Sequence, residues 1–167
     1  MRVVVMGVTG SGKSTVGKAV AEAFGFEFAD GDDFHPAANV AKMADGTPLT
    51  DEDRWPWLDA VGAWLAQRDG AVAACSALKR VYRDRLREAA PGIVFVHLAA
   101  PQDVLEERVA RRHVEEGHFA TPGLLTSQFE ALEPLAMDEV GGVVDVATAS
   151  VPEACQAAID IVAAVEG

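Results

Sequence analysis

The segment Gly7-Val8-Thr9-Gly10-Ser11-Gly12-Lys13-Ser14-Thr15 carries the spacing G-x-x-x-x-G-K-[ST], in which each residue type has a task. Glycines let main-chain N–H groups close around phosphate oxygens, and a helix starting at the lysine adds the positive end of its dipole. Lys13 is expected to reach the β and γ phosphates of ATP, and Ser14 to ligate Mg²⁺. An ordinary turn uses the same small residues. The apolar run before the segment and the helical pattern after it favour the phosphate cradle.

A second group of residues fits the same chemistry. Many P-loop hydrolases hold their metal with an Asp that closes another apolar strand, but here AVAACSALK runs into Cys75 and Ser76, and GIVFVHLAA ends without a carboxylate. The stretch FADGDDFHP supplies acids instead: Asp30, Asp32 and Asp33 fall at the carboxyl end of a strand, where a parallel sheet keeps its ligands. A solvated Asp/Gly turn is the bland alternative. Three acids in four positions beside a P-loop favour metal holding and hydroxyl positioning. No N-K-x-D tetrapeptide is present, which argues against a GTP switch.

These residues need a frame. Apolar runs of strand character lie at Val3 to Met6, Phe26 to Ala29, Ala71 to Cys75, Ile93 to Leu98 and Val143 to Val146. Between them, apolar residues recur at helical intervals: Val16, Val20 and Ala23, then Trp57, Val61 and Trp64, then Val104 and Val109, then Ile159 and Val162. The alternation predicts an α/β P-loop fold, a five-stranded parallel sheet with helices on both faces. Two stretches interrupt it: an insertion at about 33–66, and a polar Gly/Pro-punctuated segment at about 109–123.

Composition narrows the partners. The 167 residues fit a single domain spanning 1–167. A net charge of −12 argues against nucleic acid, whose phosphates need a basic footprint. No run approaches the length of a membrane span, and no export signal is visible, so a cytoplasmic location is expected. Cys75 and Cys155 sit in apolar segments and read as buried thiols. Of the fourteen Lys and Arg, five fall between Lys79 and Arg87, and Arg108, Arg111 and Arg112 form a second group. In an acidic chain such clusters suit small anionic ligands, although most charge runs are solvated helix faces.

GDDFHPAANVAKMADGTPLTDEDRWPWL, then CSALKRVYRDRLR, then GHF with LLTSQFEALEP, in that order behind a P-loop, resemble the gluconokinases of the P-loop sugar-acid kinase type. The resemblance covers nearly the whole chain. It implies ATP-dependent phosphorylation of D-gluconate to 6-phospho-D-gluconate on a shikimate-kinase-like fold with a mobile lid, as a homodimer. Asp30-Gly31-Asp32 matches the Asp-x-Asp pair of related kinases, which assigns Asp30 to Mg²⁺ and Asp32 to the acceptor hydroxyl, with Asp33 a weaker candidate. Arg54 matches the arginine aimed at the substrate carboxylate, a guanidinium fork being suited to that group. Pro56 is tolerated in a first helical turn, so Arg54 is expected near a helix start.

Other assignments follow the same segments. Lys79 and Arg83, nearest a strand end, are expected at the substrate. His35 reads either as a polar wall of the substrate pocket or as a helix-entry hydrogen bond, and Gln128 as a substrate or lid contact. Trp55, Trp57 and Trp64 read as core before sugar stacking. His118 belongs to the HF element as a lid anchor. The lid carries HVEE beyond the family pattern, so Arg108, Arg111 and Arg112 compete for adenine and γ-phosphate; Arg112 is assigned to phosphate and Arg108 to adenine. Thr148, after the last strand, is expected at adenine. Another small-molecule kinase shares the P-loop and fold, but the strand ending in Cys75 lacks the triple glycine of shikimate kinases. A nucleotide sensor without turnover is the remaining alternative, disfavoured by Lys13, Ser14 and the acids together.

Overall fold

The computed structural model describes residues 1–116 and 122–167, and side chains outside 113–122. Five strands, β1 (Arg2–Met6), β2 (Glu27–Asp30), β3 (Ala71–Ala74), β4 (Val94–Ala99) and β5 (Gly141–Asp145), form one parallel sheet in the order β2-β3-β1-β4-β5. Val3, Val4, Val5 and Met6 are fully buried, as expected for a strand covered on both faces, and this is why β1 reads as a continuous apolar run. The carboxyl ends of β1, β2 and β3 converge on the P-loop, the Asp cluster and the Cys75–Lys79 loop.

Helices α1 (Lys13–Phe24), α2 (Ala37–Ala44), α3 (Asp51–Ala66), α4 (Arg80–Ala89), α5 (Gln102–Glu116), α6 (Pro122–Ala131) and α7 (Val151–Glu166) complete the chain. Even-numbered residues of β1 pack with Trp57, Leu58, Val61 and Leu86 of α3 and α4 on one face. Odd-numbered residues pack with Val16 and Val20 of α1 and Ala158 and Val162 of α7 on the other. A third, smaller cluster of Val8, Leu78, Leu105, Val109 and Leu125 seats α5 and α6 against the P-loop.

The insertion expected at 33–66 is ordered into a short 3₁₀ turn (Gly31–Phe34) followed by α2 and α3. A capping box fixes where α3 begins: Thr50 Oγ1 accepts from the Asp53 N–H at 3.1 Å, and the Asp53 carboxylate accepts from the Thr50 N–H at 2.9 Å. Pro56 is therefore the sixth helical residue and not in the first turn, where its missing N–H removes the bond to the Glu52 carbonyl. Arg54 still stands near the helix start. The HVEE residues, expected as an addition to the lid, are the last four residues of α5, which runs to Glu116. Residues 117–121, with His118, lie outside the described residues.

Candidate active site

Gly12 ends the P-loop in the left-handed region, φ 95°, a conformation that lets the chain turn directly into α1 without steric cost. Lys13, the first residue of α1, donates from Nζ to the Val8 carbonyl at 3.1 Å, so the ammonium lies inside the loop. Burial pulls its pKa below the usual range, opposed chiefly by Asp32. Beside the loop opens a cleft of about 340 Å³ lined by Gly10, Thr15, Arg108, Arg112, Val146 and Ala149, among others. Arg108 spans this cleft's edge from α5, donating to the Val146 carbonyl at 2.6 Å. Apolar walls with arginines at the rim suit a base and its phosphates. At the loop after β5 the wall is made by Val146, Ala149 and Val151, while Thr148 is exposed and outside the lining, so the adenine assignment shifts to its neighbours.

Ser14 Oγ donates to Asp30 Oδ2 at 2.9 Å, and Asp30 Oδ1 accepts from the Asp32 N–H at 3.0 Å. Gly31 between the two acids is required by space: a Cβ there would stand 2.5 Å from the Ala74 carbonyl oxygen, so the turn can press against the end of β3. A hydroxyl and a carboxylate oxygen held together at the phosphate end of the P-loop are hard oxygen donors of the kind Mg²⁺ takes, with phosphate oxygens and waters completing its shell. Asp32 reaches solvent, yet crowding by protein raises its carboxyl above the usual range, offset first by Lys13 and reinforced by Asp30.

Two cations, Arg54 and Lys79, meet at one ring, Tyr82. Arg54 donates to the Leu49 carbonyl at 2.7 Å and lies over the Tyr82 ring, 5.4 Å from its centroid. Lys79, the N-cap of α4, sits 5.6 Å from the same ring and 3.4 Å from Asp51 Oδ1, which also accepts from the Tyr82 hydroxyl. The Tyr82 hydroxyl, with Lys79 behind it, pulls the Asp51 carboxyl down. Neither cation has all of its donors committed, which leaves both able to meet an anionic ligand. His35 stacks on Trp57 at 4.3 Å near Arg54.

Arg83, expected at the substrate, is committed elsewhere, and Gln128, expected at substrate or lid, meets the P-loop. Arg83 is fully buried, bidentate to Glu139 at 2.7 and 3.0 Å, and donates to the Ala77 and Leu78 carbonyls at 3.0 and 3.2 Å. The helical face that Lys79 begins turns inward one turn later, so Arg83 braces the loop behind the site instead of facing ligand. Gln128 accepts from the Thr9 N–H at 2.7 Å and so joins α6 to the P-loop. Trp57 is buried and donates from Nε1 to the Gly31 carbonyl at 2.7 Å, a structural role.

An AAA-domain family model matches residues 3–135. A gluconokinase from Gluconobacter oxydans (strain 621H) is 48% identical over 140 residues, which cover 81% of this chain and 77% of that protein. The chain belongs to the gluconokinase family. A thermoresistant gluconokinase from Escherichia coli (strain K12) is 46% identical over 140 residues, covering 81% of this chain and 78% of the relative. The crystal structure of a gluconokinase from Sinorhizobium meliloti 1021 superposes with a TM-score of 0.90 at 48% identity, covering 98% of this chain and 92% of that one. A shikimate kinase from Acinetobacter baumannii, at 17% identity and a TM-score of 0.61, shares the fold alone.

In a gluconokinase the residues missed by sequence reading are as telling as those found. Asp51 and Tyr82 organise Arg54 and Lys79, but Asp51 reads in sequence as one of three first-turn acids favoured by the helix dipole. Tyr82, a lone aromatic among arginines in RVYRDRLR, was the available signal: an aromatic one helical turn from cations offers them a ring face.

Proposed function

We propose that this chain transfers the γ-phosphoryl group of ATP to the primary hydroxyl of D-gluconate, giving ADP and 6-phospho-D-gluconate. The observation that carries this reading is the placement of Arg54 and Lys79 around Tyr82 on one side and of Asp32 beside Lys13 on the other, in a chain of the gluconokinase family. A sugar acid needs a cation for its carboxylate at one end and a carboxylate for its reacting hydroxyl at the other. These two groups supply them.

Arg54 and Lys79 bind the gluconate carboxylate. Asp32 accepts a hydrogen bond from the attacking hydroxyl and takes its proton as the oxygen–phosphorus bond forms and the bond to ADP breaks; its raised pKa favours that acceptance. The transition state is loose, so positioning matters more than base strength. Lys13 and the P-loop amides stabilise charge on the phosphates, and Arg112 serves the γ-phosphate from α5. Ser14 and Asp30 would hold Mg²⁺, which neutralises charge between the β and γ phosphates when bound. Arg108 flanks adenine. The segment at 109–123 acts as a lid that excludes water, a competitor of the sugar hydroxyl for the same phosphoryl group.

Among the described residues no helix is long and apolar enough to cross a membrane, and Cys75 and Cys155 are both free thiols. A cytoplasmic location and a single domain over 1–167 belong to the same reading, and the family resemblance supports a homodimer. The test is ADP release from Mg-ATP with gluconate, shikimate, a neutral sugar or no acceptor. Release with gluconate alone is expected; release with a different acceptor, or ATP binding without release in every arm, overturns the reading.

A further inference from the structure

The imidazole of His35 lies against the indole of Trp57 with ring planes 13° from parallel. Trp57 is buried and pinned through its Nε1–H to Gly31, so the plane of His35 is fixed as well. What remains open on such a ring is which nitrogen carries the proton. Asn39, from the first turn of α2, decides it. Its side-chain nitrogen lies 2.8 Å from the Asp53 carbonyl oxygen and 3.2 Å from His35 Nδ1, and the residue is only 3% exposed.

A main-chain carbonyl can only accept, so the end of Asn39 that faces Asp53 is the NH₂ end. One of its hydrogens goes to that carbonyl and the other to His35. Nδ1 must therefore carry the lone pair, and the proton of the neutral ring sits on Nε2. Burial, with Arg54 behind it, pushes the His35 pKa down to about 4, so the ring stays neutral near pH 7. Among the described residues nothing hydrogen-bonds Nε2, and the atom is not sealed from solvent. The same Asn39 amide holds the carbonyl of Asp53, the residue before Arg54, so it sets both the ring and the turn that carries the guanidinium.

We propose that Asn39 is a positioning residue of the acceptor site, fixing His35 as a neutral Nε2–H donor to a hydroxyl oxygen of the sugar acid while Arg54 takes the carboxylate. The proposal rests on the gluconate reading given above. A neutral donor suits a neutral hydroxyl, and a fixed distance between it and the guanidinium measures the acceptor between its charged end and its hydroxyl chain. The charges around the ring are few: Arg54 on α3 opposes its protonation, the Asp53 carboxylate is taken up by Lys42 of α2 and the Thr50 N–H, and Asp32 and Asp33 precede the ring on its own turn.

The test uses the full chain, labelled with ¹⁵N, and long-range proton–nitrogen spectra of the histidine rings from pH 5 to 8, with His35 assigned by its absence in His35→Gln. A neutral ring protonated on Nε2 throughout is expected. A ring protonated on Nδ1, or charged at pH 7, overturns the proposal. In Asn39→Ala the ring should sample both tautomers and titrate at a higher pH than in the unaltered protein, since the amide that favours a bare Nδ1 is gone.

Kinetics then separate contact from scaffold. The loss of one hydrogen bond predicts a gluconate KM raised about tenfold in Asn39→Ala and His35→Asn, with the KM for ATP unchanged. His35→Gln, whose amide nitrogen reaches the position of Nε2, should restore most of that loss. In Asn39→Ala the gluconate KM should also fall as pH drops from 8 to 5.5, because the imidazolium always bears a proton on Nε2, whereas the unaltered protein is flat there. Should Asn39→Ala not fold, the contrast between His35→Asn and His35→Gln decides. Unchanged gluconate KM in the folded variants overturns the acceptor contact while the gluconate reading stands. No gluconate turnover in the unaltered protein, with Nε2 still protonated, overturns the gluconate reading instead and leaves the tautomer lock in place.

Discussion

The phosphate loop and the cluster of side chains around Tyr82 are built by opposite means. The phosphate loop is one unbroken run, Gly7 to Thr15, whose main chain makes the cradle. The cluster draws single side chains from segments far apart, His35, Asp51, Arg54, Lys79 and Tyr82, and holds them by ion pairs and ring contacts. A main-chain cradle serves any nucleoside triphosphate, because every phosphate presents the same oxygens. A set of separate side chains can be altered one at a time, and in the function proposed above substrate choice resides there.

The sharpest way to break this contrast is at Lys13, the one side chain on which the cradle depends for charge. Lys13→Ala should lower turnover by about a thousandfold or more with the melting temperature little changed, read by ADP release and thermal denaturation. A loss under tenfold would mean the main chain suffices alone. On the other side, the structural anchor is the Arg83–Glu139 pair. Glu139→Gln should cost about 3–5 kcal/mol in urea unfolding, since it leaves Arg83 as a buried charge without its partner.

That anchor also has a pH signature. Burial alone would raise the Glu139 carboxyl, but Arg83, the Ala136 amide and Arg87 outweigh it and hold the pKa at about 2. A depressed pKa means that the stabilisation is present above about pH 4.5, the usual glutamate value, and is lost as pH falls toward 2. Unfolding measured across this window should be steep in the unaltered protein and flatter in Glu139→Gln.

Smaller effects sharpen the division. Arg54→Ala should raise the gluconate KM roughly tenfold to a hundredfold, as expected for a charge-assisted bond, and leave the KM for ATP within twofold. Equal changes in both constants would show that the two sides are not separable. Asp30→Asn should shift the Mg²⁺ concentration for half-maximal activity upward about tenfold with the gluconate KM unchanged.

How much could be read in advance follows the same division. The P-loop, the sheet and the Asp30–Asp32 pair were legible because each is set by local spacing. Arg54 was placed near its helix start, although the reason was the Thr50–Asp53 capping box and not Pro56. Arg83 was misplaced because its partner lies 56 residues away: an i, i+4 series of cations shows which residues share a face but not whether that face meets ligand or core. The bond from Gln128 to the P-loop was not legible for the same reason, its partner being 119 residues distant. The loop around Thr148 does line the cleft, through Val146, Ala149 and Val151, while the Thr148 side chain itself is exposed.

The buried Arg83–Glu139 pair has a consequence for descent. Either residue can be exchanged for an apolar one only together with the other, since each single step strands a charge beneath the Ala77 bend, which is held at φ 42°, the one non-glycine residue with positive φ among those described. Positions 83 and 139 should therefore drift as one inherited character. A lineage could rewrite Arg54 or Lys79 to take a new acid and keep this pair untouched.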